Sequence, residues 1–168
     1  MKIVTKMDTL AATPRAHTRT PLTLAPERRQ QRPLNILIVD DDIDSALQVR
    51  SIFSRLGCEV TCSLSWIEAK KKMCASKIDL IILDWILDRH IDAGEVVNQC
   101  ARTFSKRGRV GSRRKGLRPK VITYSSLEQS EIKWLENAHF EHLAHWHKPI
   151  TQRELLVRVL EALGALGR

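Results

Sequence analysis

Three short, largely apolar runs, each followed closely by charged residues, constrain the fold of this chain more than any other feature. None of them alternates apolar and polar residues, so each predicts a strand buried on both faces, as in a parallel sheet. Such a sheet needs covering elements on both sides, which favours an α/β architecture. The runs span residues 35–39, 79–83 and 143–146, and Asp40, Asp84 and Lys148 come after them.

The charged residues after these runs are expected to meet in space. The carboxyl ends of parallel strands lie at one edge of a sheet, where functional residues collect. Asp40, Asp41 and Asp42 would form a carboxylate cluster there with Asp84, and Lys148 would lie beside it. Closely packed carboxylates repel each other unless a cation lies among them, and hard oxygen ligands suit Mg²⁺. The alternative is structural: the aspartates would cap a helix and follow a strand as turn residues, and the lysine would be solvated.

The rest of the chain alternates strand and helix. Further strands are predicted at residues 58–62 and 121–124, Gly57 should end the first helix, and Ser65 and Thr151 open others with capping-box spacing. Five strands and five helices in strict alternation predict a doubly wound parallel sheet with helices on both faces. The helices are expected at about 44–56, 65–75, 95–103, 127–137 and from 151 onward.

Charge is distributed unevenly along the 168 residues, which carry a net charge of +9. Residues 1–33 hold seven basic and two acidic side chains, are interrupted by four prolines and lack apolar periodicity, so we expect a disordered basic tail. Residues 102–120 hold nine basic side chains and no acidic one, whereas the remainder is acidic. We therefore predict a folded domain at 34–168 with a basic loop insertion at about 104–119.

Composition narrows the class of protein further. The chain has no apolar run of about 18 residues, and its first residues lack an apolar segment, so neither a membrane span nor a secretory signal is expected. Its four cysteines form no CxxC pair and are interpreted as thiols of a reducing cytosol. A cytoplasmic protein is the expectation.

Taken together, these residues resemble the receiver domain of response regulators in two-component signalling. The resemblance covers about residues 34–166 and rests on the acidic group after the first strand, the lone Asp84 after the third and Lys148-Pro149 after the fifth. It implies a flavodoxin-like sheet with strand order 2-1-3-4-5. It also implies phosphorylation by a histidine kinase or phosphotransfer protein, with output through phosphorylation-dependent protein binding rather than enzymatic turnover.

The resemblance assigns residue roles. Asp84 falls on the phosphoacceptor, and Asp40, Asp41, Asp84 and the backbone carbonyl of Ile86 fall on the ligands of Mg²⁺. The hydroxyl and lysine that bind the phosphoryl group and take part in switching fall on Ser125 and Lys148, and the switch aromatic falls on His145.

Several positions depart from the family's pattern. The stretch 85–94 has no proline and is longer than usual for the family, so the loop beside the metal site should differ. Histidine is a side chain that can change charge near neutral pH, so its presence at 145 would make coupling to the surface dependent on pH. The alternative is a partly exposed strand histidine. Ile86 and Leu127 occupy positions that tune phosphoryl lifetime, and because both are apolar we expect slow dephosphorylation.

The basic insertion leaves three alternatives open: a solvated loop, a contact with an acidic partner protein, or a contact with nucleic acid. Possible polyanion contacts are Lys106, Arg107, Arg109, Arg113, Arg114, Lys115 and Arg118. The alternative for the whole chain is a degenerate receiver that binds protein or nucleic acid without being phosphorylated. His139, His142, His145 and His147 cluster near the last strand, but a metal site there is not expected because convergent ligands are too few.

Overall fold

A computed structural model describes residues 32–75, 77–87, 91–94, 97–99, 118–134 and 139–167. The described residues belong to one compact unit. The predicted tail at 1–33 and the insertion at 104–119 lie mostly outside the described residues. Arg32 is described, and its guanidinium pairs with Asp79.

The fold is built on a five-stranded sheet in which every neighbouring pair of strands is parallel. Its order is β2-β1-β3-β6-β7, which is the predicted 2-1-3-4-5 when the strands of this sheet alone are numbered. The strands are β1 (Asn35–Val39), β2 (Glu59–Ser63), β3 (Leu80–Leu83), β6 (Lys120–Ser125) and β7 (Glu141–His147). The flavodoxin-like sheet is therefore confirmed.

A small antiparallel hairpin follows β3, where no strand was predicted. It consists of β4 (Ile86–Leu87) and β5 (Ile91–Asp92), with Ile86 opposite Asp92. The altered stretch after Asp84 thus folds back on itself before the chain continues, and residues 93–94 and 97–99 are helical.

Three helices have described bounds: α1 (Ile43–Arg55), α2 (Trp66–Ala75) and α3 (Gln152–Ala165). The N-cap of α1 is Asp42, whose carboxylate accepts from the Asp44 amide; Asp44, the predicted cap, lies in the first turn. Gly57 follows the end of α1 with φ 80°, a left-handed conformation that glycine adopts without steric cost. Thr151 caps α3 as predicted, since its hydroxyl accepts from the Glu154 amide.

Two apolar layers cover the two faces of the sheet. Leu37 and Val39 of β1 face the layer that contains Trp66 of α2, and Ile36 and Ile38 face the layer formed with α1 and α3. All four of these β1 side chains are buried. The non-alternating run arises because both faces of the strand are covered.

The predicted helix at 127–137 is wrong over the residues that the structure describes there. Residues 129–131 form a 3₁₀ turn and 132–134 are irregular. Glu128 and Glu131 satisfy each other's backbone amides, which closes the turn after three residues. Leu127, Ile132 and Trp134 pack onto the core from this short segment instead of from one face of a helix. Among the described residues, no helix combines the length and apolarity needed to cross a membrane.

Candidate functional site

The sheet brings the predicted charged residues to one edge. Asp40 and Asp84 directly follow β1 and β3, which are paired through Val39 and Leu83. The parallel pairing continues past the strand ends: the Asp84 amide donates to the Val39 carbonyl (2.8 Å) and the Lys148 amide to the Ser125 carbonyl (2.8 Å). The backbone itself therefore fixes where these side chains emerge.

Lys148 connects the two aspartates. Its Nζ lies 2.7 Å from Asp40 Oδ2 and 2.8 Å from Asp84 Oδ2. Asp40 is 1% exposed and Asp84 9%, so these charge-assisted hydrogen bonds are largely shielded from water. The ammonium also lies 4.8 Å from the centroid of the Tyr124 ring, which closes one side of the site.

Burial and charge act in opposite directions on this ion pair. Burial raises the pKa of Asp40 above the usual carboxyl range, and the ammonium of Lys148 and the hydroxyl of Ser45 offset part of that rise. Burial alone would lower the pKa of Lys148, but hydrogen bonds and charges from Asp40 and Asp84 outweigh it and raise that pKa. Lys148 is therefore held firmly as a cation, whereas ionised Asp40 carries a desolvation cost.

The carboxylates of Asp40, Asp41 and Asp84 offer oxygen atoms that lie within 4.8 Å of one another. Three carboxylates against one ammonium leave the cluster negative, and an all-oxygen donor set fits a hard divalent cation such as Mg²⁺. Asp41 is exposed and Asp40 is already engaged, its Oδ1 by the Asp42 amide and its Oδ2 by Ser45 and Lys148. Direct coordination thus falls most readily to Asp41.

Ile86 lies beside this cluster. Its amide donates to Asp84 Oδ1 at 3.0 Å, which fixes the carboxylate from the side opposite the Lys148 contact. Its backbone carbonyl as a metal ligand stays a prediction. The Ile86 side chain is 41% exposed, so an apolar group lies between Asp84 and the solvent.

Ser125 closes β6 at the same edge of the sheet. It is buried, and its hydroxyl accepts from the Leu127 amide at 3.4 Å. The hydroxyl thus lies in the turn that leads away from the site, where movement of Ser125 would displace Leu127.

Two contributors to the site were not found from the sequence. Ser45, in the first turn of α1, donates from its hydroxyl to Asp40 Oδ2 at 2.8 Å. Tyr124 lies under the lysine ammonium and packs edge-on against Trp146, with centroids 6.3 Å apart. The position of Ser45 five residues after Asp40, where the first turn of a helix returns to the strand end, was the signal available for the first of these.

His145 contacts Thr123 and Leu127, which lie two residues before and two residues after Ser125. Its Nε2 lies 2.9 Å from the Leu127 carbonyl oxygen, and its Nδ1 lies 2.9 Å from Thr123 Oγ1. His147 lies elsewhere, with Nε2 3.5 Å from Glu128 Oε1. The assignment of His145 as a switch residue stays a prediction.

The predicted polyanion contacts are largely not described. Arg118 is exposed and lies two residues before the start of β6, while the others fall outside the described residues. The latter are Lys106, Arg107, Arg109, Arg113, Arg114 and Lys115.

No protein-family model matches this sequence, and no curated protein matches it either. Solved structures are similar. A CheY-like response regulator receiver domain protein from Methanospirillum hungatei JF-1 has a TM-score of 0.60 at 23% identity, covering 81% of this chain and 98% of that one. A two-component response regulator from Clostridium difficile has a TM-score of 0.60 at 19% identity, covering 80% and 99%.

The chemotaxis response regulator CheY4 of Vibrio cholerae is similar to the same degree, with a TM-score of 0.59, 21% identity and coverage of 80% and 99%. These matches extend over nearly the whole of each solved chain. At such identities the likeness concerns the fold, and it agrees with the resemblance inferred from the strand-end residues. The chain has the fold of response-regulator receiver domains.

Proposed function

We propose that this chain is a phosphoacceptor of two-component signalling, phosphorylated on Asp84 with Mg²⁺ by a histidine kinase or phosphotransfer protein. The observation that carries the proposal is the bridge of Lys148 Nζ between Asp40 and Asp84 at the carboxyl edge of the sheet, at 2.7 and 2.8 Å. A lysine and a carboxylate cluster held together by three strands are the parts that phosphoryl transfer to an aspartate needs.

The step itself balances without a further reactant apart from water. A carboxylate oxygen of Asp84 attacks the phosphorus of a phosphohistidine, the P–N bond breaks, and the electron pair returns to the imidazole nitrogen, which takes a proton from water. An acyl phosphate forms on Asp84. When bound, Mg²⁺ would neutralise charge on the phosphoryl oxygens. Asp40, Asp41 and Asp84 would hold it.

The remaining groups act on the product. The Lys148 ammonium can move from the Asp84 carboxylate to a phosphoryl oxygen without losing its bond to Asp40. The Ser125 hydroxyl, held by the weak 3.4 Å bond from the Leu127 amide, is available to donate to another phosphoryl oxygen. Its movement would change the turn after β6 and give the domain two states for a partner to distinguish.

The decisive experiment is intact mass after incubation with acetyl phosphate or phosphoramidate and Mg²⁺. We expect a gain of one phosphoryl group, about 80 Da, that is absent with a chelator and absent in Asp84→Asn. Asp44→Asn is the matched control, because Asp44 is an exposed acid in the first turn of α1 and lies outside the carboxylate cluster. An adduct retained in Asp84→Asn would place the chemistry elsewhere.

A second candidate is a protein-binding module that keeps the fold without phosphoryl transfer. Two observations favour it: the hairpin β4–β5 beside Asp84, and the 3₁₀ turn in place of the predicted helix after β6. It predicts a folded protein that gains no mass in the experiment above. Nucleic-acid binding through the basic insertion would appear as salt-sensitive affinity lost when residues 106–118 are neutralised.

A further inference from the structure

A connected set of side chains behind Ser125 takes no part in the proposed phosphoryl chemistry. Thr123 is fully buried, and its Oγ1 lies 2.9 Å from His145 Nδ1 and 3.2 Å from His142 Nε2. His142 in turn stacks on Trp134, with ring centroids 4.8 Å apart and planes inclined by 18°. Two half-buried imidazoles thus converge on one hydroxyl.

An irregularity in the sheet makes this convergence possible. Residues three apart on a regular strand point to opposite faces. Between Val121 and Ile122 the register shifts, so that these neighbours pair with His142 and Ala144 and one residue of β7 is passed over. The bulge brings His142 and His145 to the same hydroxyl.

The partners fix the direction of the hydrogen bonds that join Thr123, His145 and Leu127 when both rings are neutral. The Leu127 carbonyl can only accept, so Nε2 of His145 carries the proton and Nδ1 is an acceptor. The Thr123 hydroxyl must then donate to His145 Nδ1, and it accepts from His142 Nε2. One proton arrangement therefore runs from His142 through Thr123 and His145 to the backbone of Leu127.

Adding a proton to His145 disrupts this arrangement. Nδ1–H and the Thr123 O–H would then point at each other, and the hydroxyl would have to turn to the Ala144 carbonyl, 3.5 Å away. A cationic His145 would also face the donor of His142 across a single oxygen. Protonation consequently reverses the hydrogen bond between His145 and Thr123. Because Nε2–H stays in place and becomes a charged donor, protonation also strengthens the bond to the Leu127 carbonyl.

The charged groups on the surrounding elements have other contacts. Lys120 pairs with Glu141, His147 lies near Glu128, and the Glu131 carboxylate accepts from the Glu128 amide. Among the described residues, the ring nitrogens of His145 contact the Thr123 hydroxyl and the Leu127 carbonyl rather than a carboxylate. The titratable and charged side chains of these elements are Lys120, Tyr124, Glu128, Glu131, Lys133, His139, Glu141 and His147.

We propose that His142, Thr123 and His145 form a proton-controlled latch on Leu127. Neutral imidazoles hold the Leu127 carbonyl through one chain of hydrogen bonds, and protonation of His145 reverses the bond to Thr123 and tightens the contact with that carbonyl. Leu127 is held at both ends, because its amide donates to Ser125 Oγ and its carbonyl accepts from His145. The latch thereby connects the pH of the surroundings to the turn that carries Ser125. Its effect on signalling rests on the proposed function, but the latch itself can be tested without phosphorylation.

The test is a pH titration of the unphosphorylated full chain by NMR, following the imidazole nitrogens together with the amides of Ser125 and Leu127. At pH 8 we expect His145 as the Nε2–H tautomer. On acidification the Leu127 amide should shift with the same midpoint as the His145 ring. In His145→Gln, which keeps a donor for the Leu127 carbonyl but does not titrate, that shift should disappear.

Two further variants separate the latch from general acid effects. Thr123→Val, which replaces the hydroxyl by a methyl group, should uncouple the titration of His142 from the Leu127 amide. His147→Gln, outside the latch, should leave the Leu127 titration unchanged. The proposal is overturned if His145 is the Nδ1–H tautomer at pH 8, or if the Leu127 amide shifts equally in His145→Gln. Either result leaves the mass experiment on Asp84 unaffected.

Discussion

Lys148 is the residue on which the charge balance of the site depends. It neutralises two carboxylates whose ionised form burial would otherwise disfavour. The pKa of Lys148 is raised despite burial because those carboxylates favour its charged form. A raised pKa means that its stabilising contribution is present below the ordinary lysine value and is lost only as the pH rises through the raised one. At neutral pH the full contribution is present.

Replacing Lys148 by methionine should therefore destabilise the protein at pH 7 by about 2–4 kcal/mol, because the buried carboxylates lose their cation. The loss should shrink at lower pH, where Asp40, whose pKa is already raised by burial, takes up a proton before an ordinary aspartate does. Urea unfolding at pH 7 and pH 5 measures both effects. Lys133→Met, at an exposed lysine, is the control. A loss of equal size at both pH values would contradict this account.

At the scale of elements, the strands were the most predictable part. The continuous apolar runs predicted both ends of β1 correctly and placed the start of β3 within one residue. A strand that is buried on both faces can be recognised from its own residues, without knowledge of distant contacts. Asp40, Asp84 and Lys148 follow from those strand ends. The prediction failed where long-range contacts decide the conformation. Trp134 is an example, because its packing on His142 of β7 cannot be predicted from the neighbouring sequence.

The same reasoning explains the bulge in β7 and the hairpin after Asp84. Neither has a turn or glycine signal in the sequence. The shift between Val121 and Ile122 becomes apparent only when the two strands are paired. The latch histidines therefore could not be grouped from spacing alone, since a regular strand would have separated 142 from 145.

The start of the sheet offers a prediction of its own. Asp79, at the entry to β3, accepts from Arg32 at 2.8 and 2.6 Å and from the Asn35 amide at 3.0 Å, which ties together the chain segments entering β1 and β3. Burial would raise the pKa of Asp79, but these hydrogen bonds outweigh it and lower that pKa. Its contribution is thus present above the ordinary aspartate pKa and is lost as the pH falls through the lowered one.

Asp79→Ala should cost about 1–2 kcal/mol of unfolding free energy at pH 7, because a charge-assisted pair and a backbone acceptor are lost together. Arg32→Ala should cost less, since the Asn35 amide keeps its acceptor, and the double variant should cost less than the sum. Denaturation of all three at pH 7 provides the cycle, with Glu161→Gln on the exposed side of α3 as the control. Strict additivity would show that the pair at 32 and 79 is not formed in solution.

For the molecule as a whole, the carboxylate cluster links cation binding to folding. In the folded chain, carboxylate oxygens of Asp40, Asp41 and Asp84 lie within 4.8 Å of one another, and no interaction keeps them together in the unfolded chain. A cation that binds the cluster therefore stabilises only the folded state. A tenfold excess over the dissociation constant corresponds to about 1.4 kcal/mol, enough to raise the melting temperature by a few degrees. We expect that rise with Mg²⁺ and not with NaCl of equal ionic strength.

The size of this rise should depend on pH in a way that identifies the site. Because burial raises the pKa of Asp40, the cluster starts to gain a proton above the usual carboxyl range, and Mg²⁺ must then compete with it. The stabilisation by Mg²⁺ should accordingly decline as the pH falls, earlier than for ordinary aspartates. Thermal melts with and without Mg²⁺ at a series of pH values measure this decline. Asp41→Asn is the variant that lacks an exposed ligand, and Asp44→Asn is its control. If Asp41→Asn responds to Mg²⁺ as strongly as the parent chain does, the cation binds outside the cluster.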